Sequence, residues 1–354
     1  MAGIGASLAA YAILREPTNV QLDRLTIQLP YADGCLPDDG LKILHLSDTH
    51  FQGLEWRERS KIERIRRLTK GISYDLLIHT GDFWHNEAGL KNLLALLDVL
   101  PPAKLGAYGV MGNHDYACYS HADALSRNWD KYQTVVGKNE GSTISQPSAF
   151  QNNGYTAVAP LIERQSVEQP PIKLHEYPLH AFRFVRYFLN MPFELERTYY
   201  NDTYSLKDRL ASRGVTILDN QSVHLCQEIE PGRTVDLFLA GVDDVCEGKP
   251  CLESAFANVP NDAPAILLSH NPDILEEDAS RRAELILSGH THGGQIVLPL
   301  LGAAHTHSAH LGRKEAAGYM RRGKTQVYIS RGIGEGIPLR FGAGPQITLI
   351  TVKG

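Results

Sequence analysis

The sequence has little cysteine and no arrangement of it that builds a site. Cys35, Cys118, Cys226, Cys246 and Cys251 are 5 among 354 residues, with no Cys-x-x-Cys pair. An odd, scattered set excludes a dense disulfide framework and a thiolate zinc site, and leans toward a reducing compartment. Long apolar runs are missing too. The uncharged stretch 1–14 is shorter than the ~20 residues a helix needs to cross a bilayer, and a multispan membrane protein is excluded. There is no basic excess: 35 Lys and Arg stand against 40 Asp and Glu, a formal net charge of −5. No overall field draws duplex DNA, and no nucleic-acid partner is expected. Internal repeats and low-complexity tracts are also lacking. What is present, 43% hydrophobic and 21% charged residues, is the balance of a globular protein with a sizeable core.

Residues 1–20 read as a short apolar segment preceding one domain, 21–354. The charge-free opening is open to three readings: a frayed terminus, a membrane-touching anchor, or a translation start placed too far downstream. Arg15 and Arg24 follow it with no Lys or Arg before, so insertion would leave the body cytoplasmic, on the inner face of the membrane. From Lys42 onward short β-branched or leucine-rich runs alternate with longer amphipathic ones, the pattern of an α/β protein. Strands are expected at 42–47, 75–80, 107–111, 215–218, 235–240, 265–269, 285–288, 326–330 and 346–352. Several are continuously apolar, as in sheets covered on both faces. Leu90, Leu93, Leu94 and Leu97 recur at helical spacing and predict a helix that stops at Pro101 and Pro102. Between about 124 and 210 the strand signals give way to polar turns, prolines and aromatics, which marks a lid-like insertion. Within it Phe182, Arg183, Phe184, Arg186, Tyr187 and Phe188 suit a lid at a lipid interface, and equally a satellite core under a long loop.

Five groups of polar residues follow predicted strands: Asp48-Thr49-His50, Gly81-Asp82, Gly112-Asn113-His114-Asp115, His270, and Gly289-His290-Thr291-His292. In open α/β sheets functional groups collect at the carboxyl ends of strands, where loops leave the core and converge on one crevice. A lone histidine there is more often a hydrogen-bonded structural residue, but that reading must hold for all the groups at once. Carboxylate, imidazole and amide donors without thiolate suit Mn²⁺, Fe²⁺, Zn²⁺ or Co²⁺ rather than a nucleophilic triad. Asp48, His50, Asp82, Asn113, His270, His290 and His292 make 7 candidate ligands, too many for one ion and suited to two.

The ordered series LSDTH, TGD, GNHD, LSHNPD and SGHTHGGQ closely resembles the calcineurin-like metallophosphoesterase superfamily, over about residues 41–352. HNPD, GHTHGGQIVLP and RGIGEGIPLRFG resemble its YkuE/YaeI-like phosphodiesterase branch, to which LpxG-type UDP-2,3-diacylglucosamine pyrophosphatases are similar. The resemblance implies an α/β fold of four layers, αββα, with two mixed sheets face to face and helices outside. It implies two divalent ions, one held by Asp48, His50 and His292, the other by Asn113, His270 and His290, with Asp82 between them. His114 would then face the scissile phosphate beside Asn113, with Asp115 either fixing its tautomer or capping the loop. The implied reaction is hydrolysis of a phosphodiester or pyrophosphate by a metal-bridging hydroxide, on a phosphorylated small-molecule or lipid substrate such as UDP-2,3-diacylglucosamine. The alternatives are a nuclease or general phosphatase of the same superfamily, and a non-catalytic interaction scaffold, whose expected signature of lost ligands is not found here.

Around this set, residues 57–70 carry seven Lys or Arg against two Glu, with Ile62, Ile65 and Leu68 at three-residue spacing. This is a basic amphipathic helix, read either as peripheral contact with an anionic membrane or as a solvated face over a core stripe. Arg331 and Arg340 are expected either to reach a substrate phosphate or to pair at the surface. His305, His307 and His310 read as a solvated loop rather than a third metal site, and His45 and His79 as facing the core or backing the ligands rather than binding metal. No obligate protein partner is evident.

Overall fold

The computed structural model describes residues 7–8, 10–120, 196–300 and 302–354. Its framework is a pair of six-stranded mixed sheets. The first is ordered β1 (Gln21–Gln28), β16 (Gln346–Lys353), β2 (Leu41–Leu46), β3 (Leu76–Thr80), β4 (Ala107–Val110) and β7 (Val215–Ile217). Only β16 and β2 run antiparallel there. The second is ordered β14 (Gly318–Arg322), β15 (Thr325–Ile329), β11 (Leu285–Ser288), β10 (Ala265–Leu268), β9 (Arg233–Gly241) and β8 (Gln221–Glu230), antiparallel only at its edges. Short ribbons join β5 (Ala117–Ser120) to β6 (Glu196–Tyr200) and β12 (Val297–Leu298) to β13 (Gly302–Ala303). The helices are α1 (Glu55–Thr69), α2 (Leu90–Val99), α3 (Asn113–Tyr116), α4 (Thr203–Ala211) and α5 (Leu252–Ala255).

The layers follow from strands that are apolar on both sides. Ile43, Ile78 and Val110 of the first sheet pack against Leu237, Ile266, Leu268 and Leu287 of the second. On the outside of the first sheet, Leu44 and Leu46 meet Ile62 and Ile65 of α1, Leu93 and Leu96 of α2, and Leu206 and Leu210 of α4. On the outside of the second, Leu267, Ile286 and Val327 meet Leu252 of α5, Ile274 and Leu311. Each such buried aliphatic side chain contributes about 1.5–3 kcal/mol. The result is the expected αββα sandwich, with one outer layer of true helices and one built largely of short turns.

Every expected strand forms. The three strands of the two large sheets that the apolar pattern missed, β1, β8 and β14, are all sheet edges. An edge strand meets solvent along one side, and its residues alternate irregularly between exposed and half-buried. Residues 196–211, within the span expected as an insertion, join the sandwich through the β5–β6 ribbon and α4. The rest of that span, including the aromatic and arginine-rich stretch at 182–193, lies outside the described residues.

The basic helix α1 is tied down more than its sequence suggests. Glu58 accepts hydrogen bonds from the N–H groups of Gln52 and Leu54 and from Asn92 Nδ2, joining α1, α2 and the loop after β2. Lys61, 2% exposed, donates to Glu335 Oε1 at 2.7 Å and to the Ile333 carbonyl at 2.9 Å. Arg57 is also buried and donates to the carbonyls of Ile13 and Pro338. Two of the expected surface cations therefore fasten α1 to the segment that follows β15. Removing one member of a buried ion pair strands the other charge. Lys61→Met should lower the unfolding free energy by about 3–5 kcal/mol in urea titrations, with Lys61→Met/Glu335→Leu recovering most of the loss.

Candidate metal centre

The candidate ligands stand where parallel strands end: Asp48 and His50 after β2, Asp82 after β3, Asn113 after β4, His270 after β10, His290 and His292 after β11. The ladder between β2 and β3 persists into their loops, with Asp48 N–H donating to Gly81 O at 3.0 Å and His50 N–H to Asp82 O at 3.1 Å. Asp48, His50, Asp82, His290 and His292 all have φ between 46° and 69°. That left-handed region costs an ordinary L-residue about 1–3 kcal/mol, and here it recurs at five of the seven candidate ligands. Close approach explains two glycines. A β-carbon on Gly112 would stand 2.3 Å from Asp82 Oδ1, and one on Gly289 would stand 2.2 Å from Asp48 Oδ2.

Two overlapping donor sets result. In one, Asn113 Oδ1, His270 Nε2 and His290 Nδ1 form a triangle with sides of 3.1, 3.2 and 3.2 Å. Asp82 Oδ2 lies 3.1 Å from His270 Nε2. His270 Nδ1–H donates to the Thr80 carbonyl at 2.7 Å and His290 Nε2–H to the His307 carbonyl at 3.0 Å, which fixes both tautomers. With the rings neutral, the atoms turned toward one another are lone-pair donors crowded together, at the spacing that ligands about 2.0–2.2 Å from a common cation would have. In the other set, Asp48 Oδ1 lies 3.8 Å from His50 Nε2 and 3.7 Å from His292 Nε2, and Asp82 Oδ2 lies 3.1 Å from His50 Nε2. Among the described residues neither ring nitrogen of buried His50 makes a well-aligned hydrogen bond, although its Nε2 faces both carboxylates. A buried imidazole beside two carboxylates, with no thiolate among the donors, fits a hard or borderline divalent ion.

The electrostatics favour positive charge at the rim. Burial opposes ionisation of Asp82, yet the surrounding His270, His50 and His114 hold its carboxyl well below the usual range. Burial, the largest single influence, likewise disfavours charge on the imidazoles, but Asp82 and Asp48 together, with Asp244 beside His270, outweigh it and lift His50 to about 9 and His270 to about 10. Burial keeps His290 below its usual value and His292 well below it. His45 and His79, driven down to about 3 by burial, are neutral core residues, one bonded to Thr80 Oγ1 and the other stacked on Phe83.

Residues 41–294 match the model of the calcineurin-like phosphoesterase family. The chain belongs to that family. It is accordingly a metal-dependent phosphoric ester hydrolase by family. It is similar to the UDP-2,3-diacylglucosamine pyrophosphatase LpxG of Chlamydia muridarum, 28% identical over 352 residues that cover 95% of this chain and 90% of that protein. The metallophosphoesterase YkuE of Bacillus subtilis is 39% identical over 116 residues, 32% of this chain and 40% of YkuE. The phosphodiesterase YaeI of Escherichia coli is 32% identical over 147 residues, 40% of this chain and 49% of YaeI.

In this phosphoesterase His114 is the second residue of α3, beside the donor sets, its ring 4.4 Å from that of His50 and 4.7 Å from that of Tyr119. Its backbone N–H donates to Asp82 Oδ1 at 2.8 Å, leaving Oδ2 for the imidazoles. The partner of its side chain is not Asp115. Both Asp115 oxygens accept backbone N–H groups, from Asp82 and Gly112 on one side and Phe83 on the other, so this carboxylate braces the Asp82 loop. Instead His114 Nδ1 lies 2.9 Å from His85 Nδ1, and the carbonyls of both histidines accept from Asn201 Nδ2. His85 escaped the sequence reading; its only signal is its place three residues after Asp82 on a loop already locked against β2. Arg331 and Arg340 both lie in the segment that follows β15. Arg340 is fully buried, and its fork donates to the carbonyls of Arg331, Gly334 and Ala343, beneath His292. Arg331 donates to Gly344 O, Gln21 and Asp23. The Arg340 donors are taken up in closing the last loop, and Arg331 is tied to the same region through Nε and Nη2. The 305–310 loop matters through its backbone, since His307 O sets the tautomer of His290.

Two outcomes follow for the isolated protein. Gly112→Ala should displace Asp82 and His270 and lower metal content and turnover by at least about 100-fold, with the fold retained by circular dichroism. Without metal, His50 and His270 hold their protons up to about 9 and about 10, so a metal must displace them. Calorimetric metal affinity should therefore rise with pH between 7 and 10, with protons released on binding at pH 7; a pH-independent affinity would contradict the assignment.

Proposed function

We propose that the chain is a dinuclear phosphohydrolase that cleaves a phosphodiester or pyrophosphate bond in a lipid- or nucleotide-linked substrate, of which UDP-2,3-diacylglucosamine is the leading example. The observation that carries the metal reading is the crowd of lone-pair donors around Asp82 Oδ2, which lies 3.1 Å from both His50 Nε2 and His270 Nε2. Asp48, His50 and His292 would hold one divalent ion, and Asn113, His270 and His290 the other, with Asp82 shared. Mn²⁺, Fe²⁺, Zn²⁺ and Co²⁺ all suit these donors. When bound, such ions supply an activated water at neutral pH and neutralise charge on the phosphoryl oxygens.

The chain's own part is positional. Asp115 grips the backbone of the Asp82 loop, and Thr80 O and His307 O turn the free nitrogens of His270 and His290 inward. Among the described residues His114 stands at the rim, is not assigned to an ion and has its Nδ1 against that of His85; it would protonate the departing oxygen. Asn113 and His114 would both contact the phosphoryl group. The pyrophosphatase reading draws on similarity to LpxG along nearly the whole chain. A lipid-linked substrate would be met at a bilayer, in this reading at its cytoplasmic face.

Metal analysis of the purified protein should find two divalent ions per chain. Asp82→Asn should lose metal and turnover together. His114→Ala should keep both ions and lose about 10²–10⁴ in kcat, the usual contribution of a general acid; loss of metal would make it a ligand instead. A chromogenic diester, a monoester and a UDP-diacylglucosamine pyrophosphate, assayed side by side, test the bond preference. Cleavage of the monoester alone would remove the lipid pyrophosphate from consideration.

A further inference from the structure

Away from the donor sets, the basic face of α1 and the segment before β1 enclose a cavity of about 560 Å³. It is lined by Arg15, Arg59, Arg64 and Arg67, with Glu63 the one acidic group and Thr18, Asn19 and Ser60 the neutral ones. The partners of these arginines leave their outer nitrogens uncommitted. Arg64 donates through Nε to Val20 O, Arg67 through Nε to Glu63 O, and Arg59 pairs through Nε with Glu55. No terminal guanidinium nitrogen of the four donates a hydrogen bond within the described residues. Planar forks of this kind, held at the stem and open at the tip, match the oxygens of a phosphate.

A second observation lies along the same helix face. Trp56, Ser60, Glu63 and Arg67 follow one another at helical spacing, and Trp56 is 58% exposed. The backbone beside it comes from the segment before β1, because Arg57 donates to Ile13 O at 2.7 Å and lies 5.5 Å from the Trp56 ring. That segment exposes Tyr11, Ile13 and Leu14. The basic cavity is thus rimmed by an indole and aliphatic side chains, an amphipathic pairing that matches neither free phosphate nor a folded acidic protein. Among the described residues no helix is long and apolar enough to cross a membrane.

We propose that this face is a docking surface for the anionic headgroups of a phospholipid bilayer, with Arg15, Arg59, Arg64 and Arg67 taking lipid phosphates while Trp56, Ile13 and Leu14 enter the interface. Indoles favour that depth, and basic residues are drawn to it by the negative surface potential. The inference deepens the proposed function, since a lipid-linked substrate must be reached at a bilayer. Its evidence, however, is independent of the donor sets. α1 begins five residues after His50, so docking through it would hold the ligand rim close to the lipid surface.

The test uses the full metal-loaded chain and vesicles of phosphatidylcholine with or without 30 mol% phosphatidylglycerol, chosen as about one anionic lipid in three. Co-sedimentation at about 0.1 M salt should be strong only with the anionic vesicles and should weaken with added salt. Arg59→Glu/Arg67→Glu should lower partitioning at least about tenfold, and Trp56→Ser severalfold. Both variants should keep their rate on a soluble chromogenic diester, which reads the hydrolase separately. Equal binding to both vesicle types, or no effect of the arginine pair, would overturn the proposal. So would release from vesicles by millimolar inorganic phosphate, which would make the cavity a free-anion site. Intact docking with no turnover of any phosphoester would instead count against the proposed function alone.

Discussion

The structure turns on one buried carboxylate. Asp82 is 1% exposed, and a charge so placed is tolerable only with compensation on every side. Its two oxygens are divided between roles: Oδ1 is fixed by the His114 N–H, and Oδ2 faces His50 and His270. That division couples the loop after β4 to the loops after β2 and β10, and it spans both sheets. The sandwich brings the carboxyl ends of parallel strands from each sheet to one rim, and Asp82 is where the two halves meet.

Holding it there requires strain that the surrounding packing must offset. Five candidate ligands sit in the left-handed region, and each such residue costs about 1–3 kcal/mol. The opposing contributions are local and identifiable: the prolonged ladder between the β2 and β3 loops, the Asp115 brace, and the segment after β15 that covers Asp48 and His50. That last segment is rich in glycine because its backbone runs against them. A β-carbon on Gly332 would stand 2.5 Å from Asp48 Cβ, and one on Gly334 would stand 2.6 Å from His50 Cβ. Arg340 then satisfies the carbonyls that this close packing turns inward, while Lys61 and Glu335 lock the same segment to α1.

Much of this was legible in the residues and some was not, for physical reasons. The central strands are apolar on both faces and announce themselves, whereas β1, β8 and β14 lie at sheet edges and read as loop. The seven donors stood out because each follows a strand, and topology alone brings strand ends together. His85 carries no such signal, since its role depends on a three-residue offset inside a loop whose path is set by pairing with its neighbour. Arg331 and Arg340 were ambiguous because a fork suits a phosphate and a cage of carbonyls equally well; only the packing of glycine-rich backbone places the Arg340 fork. Asp115 was ambiguous likewise, and the deciding factor was the number of unpaired N–H groups at the turn. The basic run in α1 concealed a split between cations that face inward and cations that line the cavity.

Asn201 has a reach beyond its size. By bridging the carbonyls of His85 and His114, it stitches the start of α4 to the histidine pair, and the β5–β6 ribbon makes the adjoining chain ends part of the same patch. Losing the Asn201 side chain would therefore withdraw a donor from two carbonyls at once and slacken the loop after β3 together with the start of α3.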